Sequence, residues 1–297
     1  MDNQPASSAA RLGSSGLVVL GLVCQELGAA IAITLFPAVG ATGMVLLRLA
    51  FSAGILLLVF RPSFRGRSRG DWLTVIGFGL VLAIMNAFFY ESLLSVPLGA
   101  AVTIELMGPL ILSVVISHRP SAWLWAALAI AGVVLLGWTG VEGRLNLVGA
   151  LFAAAAGGMW VCYILLSART GRHFSRLDGL AIAMAIGAVA IAPIGILTAG
   201  TALLKPVDLA LGLAVAVLSS AVPYGLELIS LRRLPAATFS ILLSLAPAIA
   251  AVAGFLVLRQ QLTPLGSVGI GCVVIASSGA VVAAARRASP PTGVPAP

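Results

Sequence analysis

Charge is what this 297-residue chain has least of: Asp, Glu, Lys and Arg make up 9% of it, and only nine positions are acidic. A soluble domain carries about 25% charged residues. With 60% hydrophobic residues and a mean hydropathy of +1.13, the chain has too little polar surface to face water all round. Lipid is therefore its expected solvent. Cysteine is also scarce. Cys24, Cys162 and Cys272 lie far apart in apolar runs, which excludes a disulfide framework or a thiolate metal site and reads as small hydrophobes. The two histidines, His118 and His173, have no ligand-spaced partners. No GxSxG or Walker sequence occurs, so neither a nucleophile elbow nor a phosphate loop is present. Enzyme chemistry has no constellation to run on, and no cofactor or metal is called for.

Long apolar runs are what the chain does have. Cut at charges and Gly/Pro clusters, they span 16–36, 39–60, 72–95, 97–117, 121–139, 147–167, 178–199, 207–230, 235–258 and 264–285. Each suffices for a helix to cross a hydrocarbon core of about 30 Å at about 1.5 Å per residue. Barrel strands would be shorter and alternating. The expected fold is all-α and polytopic, with ten transmembrane helices. The first run is too long for a signal-peptide core and contains Gln25 and Glu26, which argues against a cleaved leader.

Basic residues set the orientation. With the N-terminus inside, the inner segments hold Arg11, Arg61, Arg65, Arg67, Arg69, Arg119, Arg169, Arg172, Arg176, Arg232, Arg233, Arg286 and Arg287. The outer segments hold only Arg144, Lys205 and Arg259. This asymmetry predicts cytoplasmic N- and C-termini in the cell (inner or plasma) membrane. It also explains the net charge of +8 without a nucleic-acid partner. Residues 1–15 and 286–297 are expected tails, the latter Pro-rich and disordered.

The chain resembles itself. Pro97 and Pro109 share the spacing of Pro235 and Pro247, and "NAFFYESLLSVP" has a counterpart in "PYGLELISLRRLP". Residues 16–139 and 147–285 thus read as two five-helix repeats joined by a linker at 140–146. An odd number of spans inverts the second repeat, an architecture typical of secondary transporters.

Glu26, Arg48, Glu91, Glu105 and Glu227 fall within the proposed spans. A charge at mid-membrane costs about 2.5–3.5 kcal/mol on insertion scales, so such residues mark pathways or internal pairs. Glu105 lies one turn before Pro109, whose ring clashes with the carbonyl four residues back. The helix is expected to open there, leaving a free carbonyl beside a carboxylate that could take a proton or a substrate amine; a structural pair with Arg48 is the alternative. Glu26 is read as a second such site or as an interhelical hydrogen-bonding group. Arg48 could pair with a Glu or attract a substrate carboxylate. Glu91, in a last turn, fits a residue reaching interfacial water. Asn86 and Tyr90 share one helical face and can bind a polar ligand. Pro223, Tyr224 and Glu227 cluster in the eighth span, and Pro223 and Pro247 join Pro109 as expected helix breaks. Trp160 and Tyr163 share a face suited to substrate or to packing. Gly28, Gly108, Gly157 and Gly158 suit close helix contacts.

The runs "MNAFFYESLLSVPLGAAVTIELMGPLILSVVISHRP", "TLFPAVGATGMVLLRLAF" and "LSSAVPYGLELISLRRLPAATFSILLSLAPAIAAVAGFLVL" resemble the threonine/homoserine exporter branch of the drug/metabolite transporter superfamily, EamA-type. The resemblance covers roughly 16–285. It implies two inverted five-helix repeats and proton-coupled export of amino acids or related small metabolites, with Glu105, Asn86, Arg48, Tyr224 and Glu227 on matching positions. The partners implied are an amino acid or analogue, protons and the bilayer, with a homodimer left open. The chain departs from those exporters at Ala246, Arg259 and Gln260, where they carry acidic or glycyl residues. It departs again at Ile33, where they have Lys, and at Glu26, where they have Gln. A channel without coupling, or a receptor-like membrane component, is the competing class.

Overall fold

The computed structural model describes residues 8–64, 66–117, 120–138, 146–174, 177–231, 234, 236–261 and 263–288. Residues 1–7, 139–145 and 289–297, which hold parts of the expected tails and all but the last position of the expected linker 140–146, lie outside them, as do Arg65, His118, Arg119, Arg176, Arg232, Arg233 and Pro235. The described residues are helical, without strands. The helices are α1 (Ser8–Phe60), α2 (Arg69–Ser92), α3 (Leu98–Ser117), α4 (Pro120–Trp138), α5 (Leu147–His173), α6 (Asp178–Ala199), α7 (Pro206–Ala216), α8 (Val222–Leu231), α9 (Ala236–Leu243), α10 (Ala246–Leu258) and α11 (Pro264–Ala288). Among the described residues, eight helical stretches are long and apolar enough to cross a membrane, and Ala122–Leu136 in α4 is a shorter apolar one. The chain is a multi-pass membrane protein.

Three boundaries differ from the sequence expectation, each for a local reason. Spans 16–36 and 39–60 join into α1, which holds Pro37 and turns on Gly40, the one residue with non-helical dihedrals (φ 72°, ψ 165°). A side chain would be strained at that φ, so only glycine lets the helix bend there without interrupting it for long. The eighth span divides into α7 and α8 around a π-helical turn at Val217–Ala221. The ninth divides into α9 and α10 around a turn at residues 244–245, with Pro247 in the first turn of α10. At the termini, helix outlasts the apolar run: α1 begins at Ser8 and α11 continues through Arg286 and Arg287 to Ala288. Alanines flank both ends and favour continued helix.

Other ends are capped as their residues dictate. Ser68 and Asp71 form a reciprocal capping box at the start of α2, and Asn146 Oδ1 accepts from the amides of Val148 and Gly149 at the start of α5. Polar contacts join the ends of the apolar runs. Ser230 Oγ donates to the Ser14 carbonyl (3.2 Å), His173 Nδ1 lies 3.1 Å from Asp71 Oδ1, and Arg67 donates to the His173 carbonyl. The Thr42 and Thr198 hydroxyls are 2.8 Å apart, and Gln260 Oε1 accepts from the Leu98 amide (3.0 Å).

The core lies where α1 packs against α6, α7, α8 and α10, and where α2 packs against α5 and α6. α3 runs between α5 and α10, and α4 pairs with α11. The last pair crosses at reciprocal glycines. A Cβ on Gly132 would stand 2.6 Å from the Gly269 carbonyl oxygen, and one on Gly269 would stand 2.6 Å from that of Gly132. Backbones this close are the usual basis of helix association in lipid, where burial of apolar surface supplies no drive. The cysteines are free and half-buried rather than central to the core.

Gly132→Val is therefore expected to force α4 off α11, a cost of about 1–3 kcal/mol for overpacking. Thermal denaturation of the detergent-solubilised protein should show a clear fall in Tm. Gly271→Val, on the partner helix α11 but with nothing within 4 Å of its Cβ position, should melt like the wild type.

Candidate functional site

Charges and polar groups from four helical elements come together inside the bundle. Glu26 and Arg48 both belong to α1, on opposite sides of its kink at Gly40. Glu105 comes from α3, Tyr90 from α2 and Tyr224 from α8. Glu26 is 3% exposed and Glu105 9%. Glu26 lies within electrostatic reach of both Glu105 and Arg48, and Arg48 within reach of Glu105. Among the described residues, neither carboxylate forms an ion pair within 4.0 Å, so the expected Glu105–Arg48 contact is electrostatic rather than a salt bridge.

Arg48 is held instead by neutral oxygens. Its Nη1 donates to the Tyr90 hydroxyl (3.3 Å) and its Nη2 to the Ser219 carbonyl (3.4 Å), while its guanidinium carbon lies 5.7 Å from the Tyr90 ring centroid. The Ser219 carbonyl is available for a covalent reason. Its α-helical donor would be the amide of residue 223, and that residue is proline. The π-helical turn at Val217–Ala221 sits directly before Pro223. α1 reaches this turn because residue 28 is glycine: a Cβ there would stand 2.8 Å from Ser219 Oγ. Tyr90 is fully buried and packs against Phe36, at 5.6 Å between centroids.

The expected opening at Glu105 is corrected. α3 continues as one helix from Leu98 to Ser117 through Pro109. The Glu105 carbonyl does lose its proline donor, but α5 covers it: a Cβ on Gly157 would stand 2.5 Å from that oxygen, and one on Gly108 would stand 2.0 Å from the Gly157 oxygen. Packing from a neighbouring helix stands in for the opening that proline alone would favour. The break falls in the second half, before Pro247, and the irregular turn before Pro223.

The remaining expected residues divide. Asn86 is buried, but its Nδ2 donates to the Leu82 carbonyl of its own helix (2.8 Å). Glu91 is half-buried in the last turn of α2. The Glu227 side chain lies outside the described residues, although its backbone is helical. Tyr163 packs on Phe78 (5.2 Å), and Trp160 packs on the α3–α4–α11 cluster, so both serve packing. Gly28, Gly108 and Gly157 are contact points; Gly158 has nothing within 4 Å. Ala246 is a buried first residue of α10. Gln260 caps α3 across the halves. Sequence reasoning missed Ser219, although the rule applied to Pro109, counted back four residues from Pro223, points straight to it.

Comparison with known proteins places this arrangement. The RhtA threonine/homoserine exporter of Escherichia coli K12 is 39% identical over 267 residues, 90% of each chain. The chain belongs to the EamA-type drug/metabolite transporters, in the RhtA branch. The exporter of that name from Salmonella typhimurium SL1344 is 39% identical over 272 residues, covering 91% of this chain and 92% of its own. The model of the EamA-like transporter family matches residues 147–282, nearly the whole second half. A crystal structure of another protein superposes on 96% of this chain and 100% of its own, with a TM-score of 0.65 at 19% identity, a likeness of fold alone. The RhtA relatives are named as exporters, not as enzymes.

The Gly157 contact yields a paired expectation. Gly157→Ala should push α5 from α3 at the carbonyl of Glu105 and reduce transport several-fold. Gly158→Ala, one residue on and facing open space, should leave it unchanged. Export assays normalised to membrane protein level check the pair.

Proposed function

We propose that this EamA-family protein is a secondary exporter of amino acids of the threonine/homoserine kind, or of closely related small metabolites, working by alternating access with proton antiport. One observation carries the reading. Two carboxylates, Glu26 and Glu105, are buried in the bundle interior within electrostatic reach of each other and of Arg48. A buried carboxylate without an ion pair within 4.0 Å is a group that gains by taking a proton or an ammonium. The exporters named above supply the substrate class by similarity. Glu105 is the coupling site we favour, because it stands in the middle of α3 beside the proline shared by both halves.

The architecture we infer has ten crossings in two inverted repeats, 16–139 and 147–285, with both termini cytoplasmic. Several features support it. The stretches of α1 on either side of Gly40 are each long enough to cross. Every polar contact described above between ends of the apolar runs joins two ends that alternate threading puts on one side. Gly132 and Gly269, whose separation is close to the offset of the two halves, meet each other reciprocally, as residues near a two-fold axis do.

Inverted membrane vesicles test the mechanism. With an inside-acid gradient, the wild type should accumulate L-threonine or L-homoserine, and collapse of the gradient should abolish accumulation. Glu105→Gln should lose gradient-driven accumulation and its dependence on pH. Full accumulation by that variant with an unchanged pH profile would remove Glu105 from the coupling. Conductance without accumulation would favour a channel.

A further inference from the structure

The guanidinium of Arg48 has two nitrogens in use and one idle. Nη1 and Nη2 donate to Tyr90 and Ser219, but Nε is buried and makes no hydrogen bond. Two hydroxyls share that state. Ser52 Oγ and Ser220 Oγ are buried without partners, in residues 0% and 1% exposed. Ser52 lies one turn beyond Arg48 on the same face of α1, and Ser220 follows the residue whose carbonyl Arg48 holds. A helical serine ordinarily returns its hydroxyl to a carbonyl three or four residues back, as Ser219 does to Val215. Ser52 and Ser220 do not. Three donors without acceptors, on Arg48, one turn along its helix and next to its carbonyl partner, need an acceptor from elsewhere, since buried polar groups left unpaired are costly.

We infer that Arg48, with the hydroxyls of Ser52 and Ser220, forms the subsite for the carboxylate of the exported molecule. A carboxylate offers about four lone-pair sites and accepts two parallel bonds from a guanidinium edge. It fits donors that a neutral amide or an amine cannot satisfy, because each of those brings donors of its own. Tyr90 and the proline-freed carbonyl of Ser219 are positioning groups: they engage Nη1 and Nη2 and leave Nε without an acceptor. Glu26 and Glu105 supply the opposite charge for an ammonium group. The substrate class that follows is the zwitterionic α-amino acid with a free carboxylate. This rests on the export function proposed above and sharpens it.

The test uses the full-length protein in inverted vesicles, with L-threonine, L-threoninamide and 1-amino-2-propanol as probes. The wild type should accumulate L-threonine and take up the other two at least about tenfold less well, the scale of losing a charge-assisted hydrogen bond. Arg48→Lys, which keeps the charge but not the planar edge, should raise KM for L-threonine by a similar factor. Because Arg48 variants could fail to fold, Ser52→Ala and Ser220→Ala are decisive. Removing an unpartnered buried hydroxyl leaves Tm unchanged or raises it, so a purely structural serine would show no change in KM. Here KM should rise several-fold in each, while Ser277→Ala, an equally unpartnered buried serine on α11, stays at the wild-type value. Equal uptake of acid and amide by the wild type, or unchanged KM in both serine variants, overturns the carboxylate subsite and leaves the export function standing. No gradient-driven uptake of L-threonine or L-homoserine by the wild type overturns both.

Discussion

No bulk water answers a charge placed deep in a bilayer, and the interior of this protein is organised around that constraint. Arg48 is the clearest case. Its cation is not matched by a salt bridge among the described residues but by a tyrosine hydroxyl and a backbone carbonyl. The carbonyl exists as a free acceptor because Pro223 cannot donate to it. The helix carrying it can approach because Gly28 has no side chain. One ionisable residue thus accounts for a proline, a glycine, a π-helical turn and a buried tyrosine, four features that would otherwise be unrelated oddities of a hydrophobic chain.

The same logic explains why the two halves treat their prolines differently. In α3 the carbonyl orphaned by Pro109 is covered by Gly157, and the helix stays whole. In the second half a turn at residues 244–245 separates α9 from α10 ahead of Pro247. The acidic group went with the intact helix: Glu105 stands four residues before Pro109, and the residue four before Pro247 is Leu243. The two prolines thus meet different backbones, a continuous helix in one half and a turn in the other.

The proposed export function rests on opposed charges and not on a catalytic constellation. Two carboxylates and one guanidinium in the bundle interior form a field that suits a dipolar molecule better than a neutral or singly charged one. That field, together with close kinship to named amino acid exporters, is what makes export of zwitterions the economical reading.

Helicity, the apolar runs, the kinship of the chain and most of the polar residues of the site were legible in the sequence. Hydrophobic length has no other solution in lipid than a helix, and a charge in such a run is too costly to be incidental. Asn86, expected to bind a polar ligand, has its Nδ2 on the Leu82 carbonyl, and Trp160 and Tyr163, read as suited to substrate or to packing, lie against neighbouring side chains. Only tertiary structure decided which helices touch. It joined two expected spans through Gly40, and it closed the opening at Glu105 with a helix from the other half. It also brought Ser219 to Arg48 across 171 positions. The reason is physical: proline and burial cost are properties of a single helix and can be read along it. The partner that satisfies a freed carbonyl or an idle donor comes from another helix, and no local pattern names it.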